Sequence, residues 1–317
     1  MAELLVLSRD DVAQCLDPVA LREQLAKAFI AFSDGASSVP ARIAAESAAG
    51  LLVAMPGFVK GVGLGLKAIA VFPGNDPAEM PSHQGLVALF DPDNGSSLAV
   101  MDASLITEVR TSVSAAMAVD LAARADAKSI AVIGAGALGD EHMRVLQGVR
   151  PWTDVRVASR NGARAAALAA QHPGARAVAT FEEAVRGADV VCLCTDAHAP
   201  VIEHDWLAPG AHVSSVGIGA EIPPATVAAA MADGVVLVEW RGAALNAPPA
   251  GAPDLQGHDA ARMVELGEVL VGRAVARRDE TSITVYKSTG HAIEDLAAAR
   301  LVLDTATRLG LGTRVPI

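Results

Sequence analysis

Three cysteines among 317 residues cannot build a disulfide framework. Cys192 and Cys194 share a short apolar run with no second pair at zinc spacing, so both read as core residues and no metal is expected. No apolar stretch reaches the roughly 18–20 residues that a membrane span needs. The start, Met1-Ala-Glu-Leu-Leu-Val-Leu-Ser-Arg-Asp10, lacks the basic residues and cleavage pattern of a secretory signal, so a cytoplasmic location is expected. Basic charge is also scarce: 25 Lys and Arg face 36 Asp and Glu, a net charge of −11. That field disfavours nucleic acid and anionic membranes as partners, and an anionic ligand needs a local cluster of cations. G-x-S-x-G is absent, which leaves a hydrolase elbow without support.

What is present describes a globular protein. Hydrophobic residues make up 52% and charged residues 19%, enough for one large or two modest domains. Asp17-Pro18 starts a helix with apolar residues at helical spacing, from Val19 to Phe32. Strand-like runs follow at Gly50–Met55, Leu64–Phe72 and Gly85–Phe90. The turn Asp91-Pro-Asp-Asn-Gly95 then leads into a return strand, Ser97–Asp102. A helix rich in small residues is expected from Thr107. From Ala127 the pattern alternates, with strands expected at Ser129–Ile133, Val155–Ser159, Val190–Cys194, His212–Val216 and Val235–Val238. A last strand, Ser282–Ser288, precedes a long amphipathic helix from His291. The expected fold is α/β: a doubly wound parallel sheet over 121–285, inserted into a mainly antiparallel α+β domain of 1–120 plus 286–317.

One segment carries specific chemistry. Ser129-Ile-Ala-Val-Ile reads as a buried strand, Gly134, Gly136 and Gly139 form G-x-G-x-x-G, and a helix opens at once. Gly134, Gly136, Ala137, Leu138 and Gly139 are therefore expected to cradle a dinucleotide pyrophosphate at the helix N-terminus. The second strand ends Val157-Ala-Ser-Arg-Asn161, where NAD-selective sites place an acid. Ser159, Arg160, Asn161 and Arg164 stand there instead. A guanidinium pairs with a 2′-phosphate, so NADP(H) is expected in preference to NAD(H).

Arg42, Lys67 and Arg110 occupy unusual places outside this segment. Lys67 shares a strand face with Gly65 and Ile69, where an ammonium needs a partner. Periodicity alone does not bring the three together. Val39-Pro-Ala-Arg42, Met55-Pro-Gly57, Leu66-Lys67, Pro81-Ser-His-Gln84, Ala99-Val-Met-Asp-Ala103 and Ile106-Thr-x-x-Arg-Thr111 recur in order. With Trp206-Leu-Ala-Pro-Gly210, Glu265-Leu-Gly-Glu268 and Val285-Tyr-Lys-Ser-Thr-Gly-His-Ala-Ile-Glu-Asp295, the series resembles the ornithine cyclodeaminase/mu-crystallin family over nearly the whole chain.

That resemblance implies a homodimer joined through the N-terminal domain and an inserted NAD(P) domain. It places Arg42, Lys67 and Arg110 around the carboxylate of a small imino or amino acid, with Lys67 also a proton donor. It further implies cofactor contacts from Ser82, His83, Arg110, Thr111, Thr195, Val216, Ser288 and Thr289. Cyclodeaminases of the family carry an aspartate just after a Val-Gly pair and an acid two residues before Met-Pro. Here Gly219 and Val53 stand at those places, with Glu221 as the substitute if the register shifts. The expectation is an NAD(P)H-dependent reductase of an imino acid C=N bond. A cyclodeaminase-type lyase and a non-catalytic binder of NADPH and a small carboxylate are the alternatives.

Overall fold

A computed structural model describes residues 3–76 and 79–317 of the chain. Asp17 accepts a hydrogen bond from the Ala20 amide at 2.8 Å, and Pro18 opens the helix Pro18–Ser33 as its sequence dictates. The chain divides into two units, Met1–Arg110 with His291–Ile317, and Thr111–Gly290. The boundaries expected from sequence lie at 120/121 and 285/286. The boundary at 110/111 falls instead within the helix Ala103–Ala122, where an unbroken run of helix gives no sequence signal.

The first unit is built on an eight-stranded sheet. Strands Leu51–Val59, Gly63–Val71, His83–Phe90 and Ser97–Asp102 pair antiparallel in sequence order. Glu3–Leu7 joins Ser97–Asp102 in parallel and pairs antiparallel with Thr313–Pro316. Thr313–Pro316 forms the edge and Glu3–Leu7 lies beside it, and both are too short to show an alternation readable from sequence. Along Leu51–Val59 the buried positions alternate as Val53, Met55, Gly57 and Val59, and the opposite face is left partly exposed. The last helix, Ala292–Leu309, packs on the buried face and against Pro18–Ser33.

The second unit carries an eight-stranded sheet whose pairs are all parallel. Ser129–Ile133 lies at its middle, buried at every position, as a strand covered on both faces must be. Asp154–Ala158 and Ala175–Ala177 extend the sheet on one side, and Val190–Leu193 and His212–Ser215 on the other. The strand order therefore reverses between Ser129–Ile133 and Val190–Leu193, the place where such sheets bind ligands. Thr284–Lys287 inserts between His212–Ser215 and Val235–Val238. Cys192 and Cys194 are buried in this core, and burial pushes the Cys192 thiol up to about 12.

Candidate active site

In the first unit, Lys67 points to the buried face of Gly63–Val71, two residues beyond Gly65. A Cβ on Gly65 would lie 2.5 Å from Leu296 Cδ2 and 2.6 Å from the Ala88 carbonyl oxygen, so glycine lets the last helix approach the sheet. That approach delivers two carboxylates from the helix's first turn. Lys67 Nζ donates to Asp295 Oδ1 at 3.1 Å, and Arg110 Nε donates to the same oxygen at 3.1 Å. Arg110 Nη1 donates to Glu294 Oε2 at 3.0 Å, and that oxygen also takes the His291 amide at 2.6 Å.

All four charged side chains are buried. Burial lowers Lys67 to about 8, with Asp295 holding it up against Arg110 and Arg42. Burial raises the Asp295 carboxyl, but Arg110, Lys67 and Arg42 outweigh it and keep the carboxyl below its ordinary value. Arg42 thus acts on this cluster through its charge, and it is only partly buried. Sequence reasoning found the three cations and missed both acids. Glu294-Asp295 sits ahead of a run of apolar helix residues, and adjacent acids on a helix otherwise set to be buried are the signal available. Ser82 and His83 hydrogen-bond to each other at 3.0 Å on the half-exposed approach to His83–Phe90.

In the second unit, the three glycines differ in what surrounds them. Gly134 has φ +117°, and a Cβ there would lie 2.2 Å from the Cys194 carbonyl oxygen. Gly136 faces open space and caps the helix Ala137–Leu146 with no side-chain hydrogen bond, leaving its first amides for a ligand. A Cβ on Gly139 would lie 2.1 Å from the Gly134 carbonyl oxygen, so the helix seats directly on the turn. A tight turn, an open cradle and a close helix fit a pyrophosphate. At the end of Asp154–Ala158, Asn161 caps the next helix through the Arg164 amide at 3.2 Å. Arg160 lies 3.6 Å from Asp196, and both side chains are almost fully exposed. Thr111 is buried at the first position of this unit.

The loop after His212–Ser215 is held from below by buried charge. Lys287 Nζ lies 2.6 Å from Asp254, and donates to the carbonyls of Gly217 at 2.8 Å and Gly219 at 3.0 Å. Glu221 accepts from Thr195 Oγ1, from Ser215 Oγ at 2.8 Å and from the Gly217 amide at 3.0 Å. A Cβ on Gly219 would lie 1.9 Å from the Ala197 carbonyl oxygen. Ser288 and the Thr289 amide (3.0 Å) both donate to the buried Glu239 carboxylate. Lys287, Asp254 and Glu239 carried no periodic or motif signal as a group, because they are distant in sequence.

A family model described as the ornithine cyclodeaminase/mu-crystallin family matches residues 2–309. The chain belongs to that family. Ketimine reductase mu-crystallin of Mus musculus is 36% identical over 240 residues, 75% of each chain. The Thermococcus litoralis Delta(1)-pyrroline-2-carboxylate reductase, solved with NADH and L-proline, superposes with a TM-score of 0.90 at 27% identity, covering 98% of this chain and 100% of that one. An archaeal alanine dehydrogenase dimer with bound NAD gives a TM-score of 0.88 at 25% identity, over 100% of both chains.

Packing accounts for the residues at two places where the resemblance to cyclodeaminases leads us to expect acids, Gly219 and Val53. The loop at Gly219 is closed against Ala197 and His198, so it admits no side chain there. Glu221 spends its oxygens on Thr195, Ser215 and the Gly217 amide, which makes it a brace for the loop. Val53 is buried in an apolar cluster with Met55 and Ala292, flanked by Val39, Leu51 and Ile69. Met55 pairs directly with Lys67 across the strands, so the cations border an uncharged surface.

Proposed function

We propose that this chain is an NAD(P)H-dependent reductase that converts the C=N bond of a small imino acid into an amine. Its relatives named for ketimine and pyrroline-carboxylate reduction support the reaction class. The observation that carries it over cyclodeamination is the closed backbone at Gly219, which leaves no carboxylate to manage a second amine. The apolar cluster around Val53 likewise offers no partner to a distal ammonium.

In this reading Arg42, Lys67 and Arg110 bind the substrate carboxylate, three cations against the two acids Glu294 and Asp295. One positive charge is left for one carboxylate. Gly134, Gly136, Ala137, Leu138 and Gly139 hold the pyrophosphate, with Thr111, Thr195, Val216, Ser288 and Thr289, and Ser82 and His83, as further cofactor contacts. The nicotinamide, when bound, supplies the hydride to the C=N carbon. Lys67 gives a proton to the imine nitrogen and recovers one from water, so the product is the amine. Arg160, with Ser159, Asn161 and Arg164, favours NADP(H), since its pairing with the exposed Asp196 is weak enough for a 2′-phosphate to displace. The protein works in the cytoplasm as a homodimer.

The test follows NADPH and NADH absorbance with pyrroline-2-carboxylate, piperideine-2-carboxylate, and α-keto acids mixed with amines. Substrate-dependent oxidation of one reduced cofactor supports the reading, and none across the set contradicts it. Arg160→Ala should weaken NADPH far more than NADH. Tighter binding of NADH by the unaltered enzyme would overturn the cofactor assignment.

A further inference from the structure

We propose that Asp295 is the positioning residue of this site, gathering the Lys67 ammonium and the Arg110 guanidinium onto one oxygen and keeping Lys67 a proton donor. The inference rests on the reductive reading above. Its basis is an asymmetry within one carboxylate. Oδ1 takes Lys67 Nζ and Arg110 Nε, each at 3.1 Å, while Oδ2 is buried with no hydrogen-bond partner among the described residues. A carboxylate serving only to neutralise Arg110 would engage it through both oxygens, the stronger and usual arrangement. Leaving one oxygen dry is costly, and the arrangement instead fixes two cations at a single point.

The surroundings leave this task to Asp295. On the neighbouring strands the residues opposite Lys67 are Met55 and Val87, both apolar and buried. From the last helix, Glu294 is committed to Arg110 and to the His291 amide. His291 is lowered to about 3 by burial and by Arg42, so its ring is neutral across the working range. Arg42 and Arg110 both push the Lys67 proton off, and burial pushes in the same direction. Asp295 opposes all three. It is tied to the first turn of the helix Ala292–Leu309, where the helix N-terminus stabilises a carboxylate. In the reaction, Lys67 Nζ transfers its proton to the imine nitrogen as the carbon accepts hydride, and water returns a proton to the amine of Lys67. Asp295 stays ionised throughout.

The chain has five lysines, at 27, 60, 67, 128 and 287, so a 15N-lysine label gives few ammonium signals, and Lys67→Met assigns the one of interest. Unaltered protein should show this signal titrating near pH 8. Asp295→Asn should move the midpoint down by roughly one pH unit or more, because a single charge at contact distance is removed. The alkaline limb of kcat/KM for imine reduction should fall by the same amount, and kcat should drop at least about tenfold, the scale of a lost proton-transfer partner. Asp295→Ser is the second variant, small and neutral. An unmoved Lys67 midpoint in a folded variant contradicts the proposal. So does failure of both variants to fold, which would make Asp295 a structural ion-pair partner. Absence of imine reduction by the unaltered enzyme, with the Lys67 midpoint still dependent on Asp295, sinks the reductive reading and leaves the positioning role standing.

Discussion

In the proposed reaction single residues carry the chemistry, and the cations among them stand out in the sequence by being out of place. Lys67 is a cation in mid-strand between Gly65 and Ile69, and the structure supplies the partner it needs, Asp295. Glu294 and Asp295 left only a weak signal, adjacent acids ahead of an apolar helix run, because acids in a helix's first turn are ordinary capping residues until their face is known to be buried. Arg110→Ala removes one arm of the cluster and strands a buried carboxylate. Its activity should fall by about 2–4 kcal/mol of transition-state stabilisation. Its unfolding free energy should fall by about 3–5 kcal/mol, which urea titration measures. Near-normal turnover in a folded Arg110→Ala protein would remove this residue from the site. At Gly219 the prediction is steric. Gly219→Asp drives a side chain into the Ala197 carbonyl, and should cost about 1–3 kcal/mol of stability without creating cyclodeaminase activity. An unchanged denaturation midpoint would show that the loop opens freely.

Elements place these residues, and their legibility followed the length of their pattern. The strand Ser129–Ile133 and its glycine turn were readable because burial on both faces and G-x-G-x-x-G constrain every position. Asp154–Ala158, Val190–Leu193 and His212–Ser215 each lie within a residue of the run that marks them, a normal uncertainty at strand ends. Edge strands such as Thr313–Pro316 are short and exposed, so nothing in their hydrophobic pattern distinguishes them from a tail. The loop Val216–Ile222 was the hardest to read, since Lys287 and Asp254 that hold it come from distant strands and turns. Helix-to-sheet approach is the element-scale feature with a direct test. Gly65→Ala places a methyl against Leu296 and the Ala88 backbone, which moves the last helix and its two acids. The variant should lose about 1–3 kcal/mol of stability. Its alkaline limb should shift in the same direction as that of Asp295→Asn, and an unaltered pH profile with normal stability would show that the helix does not need this approach.

At the scale of the whole molecule, the face of the first unit's sheet opposite Lys67 carries exposed apolar side chains among the described residues. Ile43, Leu52 and Leu86 share this face, opposite Lys67, and are exposed by 68%, 50% and 41%. Apolar surface of that kind marks an interaction site, and pairing two copies through it accounts for the expected homodimer. Light scattering at micromolar concentration should give twice the 32.3 kDa of one chain, and the mass of a single chain would contradict it. The reaction itself is tested by one comparison. The enzyme is incubated with pyrroline- or piperideine-2-carboxylate and NADPH, and separately with L-ornithine and catalytic NAD+. Stoichiometric NADPH oxidation with formation of the cyclic amino acid in the first, and no ammonia in the second, is the predicted result. Proline and ammonia from ornithine, with NADPH untouched by the imino acids, would contradict the account.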